Sequence, residues 1–162
     1  MAEEKNLSSS YVPVSPFLSV DRILILKGKQ KKNDVLNMLI QKIAEKEEYG
    51  NKEDLEWGIF HREELMSTGI GKHLAVPHFT LPDTEKSCIA LAVCPDGIPD
   101  YLSPDSRMVK LVFMIICARE KSTPHLRLLA SIGKLFHDGR LTAACLAASD
   151  PETCLKIIER AE

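Results

Sequence analysis

The 162-residue chain has no uninterrupted apolar run approaching the roughly 20 residues that a membrane-spanning helix requires. Its opening stretch, Met1-Ala-Glu-Glu-Lys-Asn-Leu7, also lacks the apolar core of a signal peptide, so a soluble, cytoplasmic protein without direct membrane insertion is expected. An excess of charge of either sign is missing too, since 21 Lys and Arg stand against 23 Asp and Glu for a formal net charge of -2. That balance gives no global attraction to nucleic acid or to an anionic membrane, so electrostatic recognition has to be local and nucleic acid is not an expected partner. Paired metal-site cysteines are absent: Cys88, Cys94, Cys117, Cys145 and Cys154 are odd in number, contain no C-x-x-C, and sit mostly among apolar residues. They read as buried thiols in a reducing compartment. No internal repeat is visible.

What is present is one domain's worth of apolar material, 44% of the residues, enough to bury a core without staples. Residues 1–16 are polar and carry Pro13 and Pro16, which predicts a flexible N-terminal arm ahead of a domain over 17–162. Arg22-Ile-Leu-Ile-Leu26 reads as a strand, and Val35, Leu36, Leu39, Ile40 and Ile43 recur with helical period. Between them Lys27, Lys29, Lys31 and Lys32 form either a solvated turn or a docking patch, the turn being the commoner use of such a cluster. Asn51 suits the cap of a second helix through about Leu65, with Leu55, Ile59, Trp57 and Phe60 as inward candidates.

Two nearly continuous apolar runs, Cys88–Cys94 and Val109–Cys117, predict central strands covered on both faces, with Pro95-Asp-Gly97 as a turn after the first. Apolar residues at 126, 129, 132, 135 and 136 mark a helix stopped by Asp138-Gly139. An alanine-rich helix over 140–148 follows, and Ser149-Asp-Pro-Glu152 opens a last one. The order of elements predicts an α/β fold, a mixed β-sheet sandwiched by helices.

The chemistry concentrates in Ser67-Thr-Gly-Ile-Gly-Lys-His-Leu-Ala-Val-Pro-His78. Gly69 and Gly71 permit backbone shapes in which N–H groups converge on an oxyanion, although glycine pairs more often simply make turns. Pro77 restricts the backbone directly before His78 and so aims the imidazole. A neutral imidazole nitrogen is nucleophilic near pH 7 and forms a phosphoramidate of high transfer potential, which suits reversible phosphoryl transfer. An isolated histidine would more often be a surface or satisfied core residue; the neighbours favour the functional reading.

This segment, preceded by Arg62-Glu-Glu-Leu65, resembles the signature of phosphotransferase-system enzyme IIA of the fructose/mannitol and nitrogen-regulatory type. The resemblance extends through the strand at 109–117 and His125-Leu-Arg-Leu-Leu-Ala130, covering most of residues 18–160. It implies that His78 accepts phosphate from the phosphohistidine of a small HPr-like carrier protein. It further implies site roles for Arg62, sixteen residues upstream, and for His125 on the later helix. Ser67, Thr68, Gly69 and Gly71 are then the candidate phosphate loop. No cofactor and no metal are called for. Onward partners implied are a IIB component in sugar transport or a regulatory target protein, and a weak homodimer is also compatible with the resemblance.

The chain departs from the family pattern at Lys72-His73, where a small residue or asparagine and glycine are common, and at Phe79, where a small residue follows the histidine. Phe79 could shield a phosphoramidate, meet a partner, or pack in the core. His73 and His78 are discounted as metal ligands, because no H-E-x-x-H or carboxylate-bearing motif accompanies them.

Overall fold

The computed structural model describes residues 12–84, 86–119 and 125–162, with the side chain of His125 outside that description. In chain order the elements are β1 (Ile23–Ile25), α1 (Lys32–Ala44), α2 (Lys52–Leu65), β2 (Gly69–Gly71), β3 (Leu74–Ala75), β4 (His78–Leu81), β5 (Cys88–Ile98) and β6 (Val109–Ala118). Three helices follow: α3 (His125–Leu135), α4 (Arg140–Ala147) and α5 (Pro151–Ala161). The sheet is mixed, in the order β1-β5-β6-β3-β2, with β4 also paired to β6.

The antiparallel pair of β5 and β6 forms the centre, in the register Leu91↔Phe113 and Ala92↔Val112. Strand alternation between two covered faces explains why both runs are apolar at nearly every position, Lys110 being the exception. Ala90, Ala92, Val112, Met114 and Ile116 point to one face and pack with Val35, Leu36, Leu39, Ile40 and Ile43 of α1 and Leu55 and Ile59 of α2. Ile89, Leu91, Leu111, Phe113 and Ile115 point to the other and pack with Leu128, Ile132, Phe136, Cys145, Cys154 and Ile158 of α3, α4 and α5. The result is the expected sheet sandwiched by helices, and all five cysteines are buried free thiols.

Local chemistry starts the helices where expected. Asn51 Oδ1 accepts the Asp54 N–H at 2.9 Å at the start of α2, and Asp150 Oδ1 accepts the Thr153 N–H at 2.8 Å before Pro151 opens α5.

Three expectations are revised. The arm foreseen over residues 1–16 is seated on the core from Val12 onward: Val14 is fully buried, its N–H donates to Glu162 Oε1 at 2.6 Å, and the Val12 N–H donates to Ser131 Oγ at 3.3 Å. Residues 1–11 lie outside the described residues. Trp57 does not face inward; it is 61% exposed and stacks on His61 with ring centroids 4.5 Å apart. Pro95-Asp-Gly97 lies inside β5 as an irregularity rather than ending it, because the ladder jumps from Val93↔Leu111 to Ile98↔Val109 and Gly97 takes up the slack at φ 86°.

Candidate functional site

The glycine segment is a β-hairpin. β2 pairs antiparallel with β3 through Gly69↔Ala75 and Gly71↔Leu74, and Lys72 (φ 55°) and His73 (φ 69°) make the turn in left-handed backbone conformations. Such a turn ordinarily takes Asn-Gly, because a side chain is strained there. Here tertiary bonds hold it. The Lys72 N–H donates to Asp105 Oδ2 at 2.8 Å, Lys72 Nζ donates to the His137 carbonyl at 2.7 Å, and His73 Nδ1 lies 2.7 Å from the Met108 carbonyl.

From the hairpin the chain is pinned to the edge of β6. The His73 carbonyl accepts from Lys110 and Leu111, β3 runs parallel to β6, and the Pro77 carbonyl accepts the Ile115 N–H at 2.9 Å. Pro77 breaks the ladder between β3 and β4, and β4 resumes with His78 opposite Ile115. The register puts His78 on the face covered by α3, and Phe79, opposite Ile116, on the face covered by α2. Phe79 packs there in van der Waals contact with Gly58, where a Cβ would fall 2.2 Å from the ring. It therefore packs in the core on the opposite face from the histidine.

His78 is half-buried, and its Nδ1 lies 2.8 Å from the Val76 carbonyl oxygen. A carbonyl can only accept, so Nδ1 carries the hydrogen and the lone pair of the neutral ring resides on Nε2. Backbone geometry thus selects the tautomer whose distal nitrogen carries the lone pair.

A cavity of about 610 Å³ adjoins this ring, lined by Arg62, Ser67, Thr68, Gly69 and His78, with Met66, Ile70, Val76, Leu102, Ser103, Pro104 and Leu129 completing the wall. Arg62, in the last turn of α2, donates from Nη1 to the Met66 carbonyl at 2.9 Å, ending its helix while the guanidinium still lines the cavity. The structure therefore brings Arg62, Ser67, Thr68, Gly69 and His78 together. Gly71 is elsewhere, at the far end of the hairpin near Asp105. His125 opens α3, but the placement of its side chain lies outside the described residues.

Within Ser67–Gly71, where converging amides are expected, two of the N–H groups are already engaged inside the chain. The Thr68 N–H donates to Glu63 Oε1 at 3.0 Å and the Gly69 N–H to Ser67 Oγ at 3.3 Å. The reason for glycine at 69 is close approach: a Cβ there would lie 2.1 Å from the Leu102 carbonyl oxygen.

Sequence reasoning missed the buried network under this wall. Glu63, with 5% side-chain exposure, pairs with Lys32 Nζ at 2.8 Å and accepts from Thr68 Oγ1 at 2.6 Å. Because the single Thr68 hydroxyl hydrogen goes to Glu63, the Tyr101 hydroxyl at 2.6 Å must be the donor to Thr68. Burial, then the Glu63 charge, pushes the Tyr101 hydroxyl above its ordinary range, keeping it protonated for that role. Lys32, one of the turn lysines, is a member of this network, and its ammonium also lies 4.7 Å from the Tyr101 ring centre. No signal in the linear sequence links Lys32, Glu63 and Tyr101. Among the described residues, no group of three or more His, Cys, Asp and Glu side chains is placed to hold a metal ion, and no helix is long and apolar enough to cross a membrane.

A family model described as "Phosphoenolpyruvate-dependent sugar phosphotransferase system, EIIA 2" matches residues 16–161. The nitrogen regulatory protein of Bradyrhizobium diazoefficiens is 27% identical over 147 residues, 91% of this chain and 95% of that protein. The fructose-specific EIIABC component of Bacillus subtilis is 27% identical over 137 residues, 85% of this chain; the match spans only 21% of that longer protein. The crystal structure of nitrogen regulatory protein IIA-Ntr from Neisseria meningitidis superposes with a TM-score of 0.78 at 20% identity, covering 90% of this chain and 98% of that one, a likeness of fold.

Proposed function

The chain belongs to the phosphoenolpyruvate-dependent sugar phosphotransferase system EIIA 2 family, and from that premise we propose that it is a phosphocarrier whose His78 Nε2 takes a phosphoryl group from the phosphohistidine of an HPr-like carrier protein. The observation that carries this reading is the 2.8 Å bond from His78 Nδ1 to the Val76 carbonyl beside the Arg62 cavity. In the transfer, the phosphorus–nitrogen bond to the donor ring breaks as the bond to Nε2 forms. The Nδ1–H stays on the Val76 carbonyl, which stabilises the positive charge the ring acquires. Arg62 supplies N–H donors to the phosphoryl oxygens, and His125, on the helix that closes this face, is assigned the second supporting role. No metal or cofactor enters the step.

The surroundings suit docking of a protein donor. Leu65, Met66, Ile70, Leu102 and Leu126 are large apolar side chains left exposed, and three of them line the His78 cavity. The test is incubation with phosphorylated carrier protein, comparing wild type with His78→Ala. Acid-labile, base-stable phosphate should appear on wild type alone, and an unlabelled wild type sinks the reading.

A second reading is a regulatory protein whose contacts depend on His78 phosphorylation, with no onward sugar phosphorylation. The near end-to-end match to a nitrogen regulatory protein favours it; the match to 21% of a component named EIIABC favours transfer to a IIB acceptor. A panel of IIB proteins added to the phosphorylated chain separates the two. Loss of label to one of them establishes transfer, and retention with all of them, together with a changed affinity for a target protein, establishes regulation.

A further inference from the structure

The His78 ring is held by its own backbone, and a chain of hydrogen bonds leads from that backbone to a buried carboxylate. The Val76 carbonyl that accepts from His78 Nδ1 at 2.8 Å belongs to a residue whose N–H donates to the Thr68 carbonyl at 3.0 Å. Thr68 in turn is fixed by Glu63, which accepts its N–H on Oε1 at 3.0 Å and its hydroxyl on Oε2 at 2.6 Å. Glu63 is buried and pairs with Lys32 Nζ at 2.8 Å. Neither Glu63 nor Lys32 lines the His78 cavity, so neither touches a phosphoryl group held there.

Stability alone does not account for a charged pair in this place. Burying an ion pair costs desolvation, and apolar residues of similar volume commonly do as well or better. What a carboxylate adds is two acceptor oxygens at a fixed separation, and here both accept from one residue. Held by its N–H and its hydroxyl together, with the Tyr101 hydroxyl donating to that same oxygen at 2.6 Å, Thr68 is fixed in orientation as well as in position. Its carbonyl is thereby aimed at the Val76 N–H. On the other side of Val76, the Pro77 carbonyl accepts the Ile115 N–H at 2.9 Å. The Val76 carbonyl is therefore clamped between a bond to the Glu63 network and a bond to β6, and removing the first leaves it held from one side. Met66, in the span that the Glu63–Thr68 bonds close, carries the carbonyl that accepts from Arg62 Nη1 at 2.9 Å. The same carboxylate thus braces the backbone under both Arg62 and His78.

We propose that Glu63 is a positioning residue of the phosphoryl transfer: its buried carboxylate fixes Thr68, and through it the Val76 carbonyl that orients the His78 ring. The assignment rests on the phosphocarrier reading of His78. Glu63 does no chemistry of its own; it holds the ring in the orientation from which transfer occurs.

Nitrogen-15 NMR of the imidazole rings and transfer kinetics, both on the full chain, test it together, with the His78 signals identified by their loss in His78→Ala. In wild type the neutral His78 ring should show a protonated Nδ1 and an unprotonated Nε2. Glu63→Gln leaves Lys32 unpaired and lowers stability. The double variant Lys32→Met/Glu63→Gln, which removes both charges, is therefore measured beside it, and rates are taken per folded molecule. In both variants the ring should pass to a mixture of the two tautomers. The rate at saturating phosphorylated carrier protein should fall by about ten- to a hundredfold. KM for the carrier should change little, because Glu63 lies outside the cavity lining. Ile158→Ala is a core truncation in α5, which packs on β1 at the opposite edge of the sheet from β2. It should lose stability and keep the wild-type ring signals and rate. An unchanged ring spectrum or an unchanged rate in the double variant overturns the assignment, as does the same loss in Ile158→Ala. A wild type that accepts no phosphate overturns the phosphocarrier reading and the transfer role with it, while the ring spectrum still decides whether Glu63 orients His78.

Discussion

His78 Nδ1 lies 2.8 Å from the carbonyl oxygen of Val76, two residues back across Pro77. Pro77 has no N–H to pair with the sheet, so β3 ends before it and β4 begins after it, and the Val76 carbonyl faces the ring instead of a neighbouring strand. A side chain thus takes its tautomer from its own backbone.

Arg62→Ala should slow phosphoryl transfer to His78 by roughly ten- to a thousandfold, or about 1.4–4 kcal/mol of transition-state stabilisation. Rapid-quench transfer from phosphorylated carrier protein measures it. An unchanged rate would reduce Arg62 to its capping bond on Met66.

Glu63→Gln should destabilise the protein by about 3 kcal/mol, because Lys32 would be left as a largely buried charge without its partner. Urea denaturation reads the loss. Thr68→Val tests the same network from its other side and should cost about 1–3 kcal/mol by leaving Glu63 and the Tyr101 hydroxyl short of a partner.

Two helical glycines should respond oppositely to alanine. Gly133→Ala in α3 meets no atom within 4 Å and should raise stability by about 0.5–1 kcal/mol through helix propensity. Gly58→Ala in α2 would drive its Cβ to 2.2 Å from the Phe79 ring, and should lower stability by about 1–3 kcal/mol through overpacking. Paired thermal melts decide it; equal shifts would contradict the Gly58–Phe79 contact.

Burial pushes the Cys88 and Cys94 thiols up to about 12 and Cys117 to about 11. The folded-state values lie above the ordinary thiol range, so the folded protein holds these protons longer than the unfolded chain. Their contribution to stability is intact below pH 9 and declines as pH rises toward 11–12. Denaturant midpoints between pH 7 and 11 should show a fall confined to the alkaline end. Iodoacetamide at pH 8 should leave these cysteines unmodified in the native protein and alkylate them in denaturant.

Elements with a strong local pattern were legible. Val35, Leu36, Leu39, Ile40 and Ile43 announce α1 by their spacing, and Asn51 and Asp150 announce helix starts by capping chemistry. The runs at 88–94 and 109–117 announce two-sided burial by having no polar alternation. Trp57 was misread because α2 is buried along a narrow stripe, and its period alone does not say how wide that stripe is. The seating of Val12 and Val14 was invisible because the residues that receive them, Ser131 and Glu162, are at the other end of the chain.

The sequence by itself determined the family, the sheet between helix layers and the candidacy of Arg62 and His78, because each rests on residue types at short, regular separations. The tertiary structure alone decided how the candidates are used. It engaged the Thr68 and Gly69 amides inside the chain, paired Gly69–Gly71 in a hairpin, sent Phe79 to the face opposite His78, and recruited Lys32 to Glu63. These outcomes depend on which backbone amides are already spent and on which distant segments arrive at the same edge of β6. Hydrogen-bond satisfaction is a property of the whole fold, so no local pattern could have supplied it.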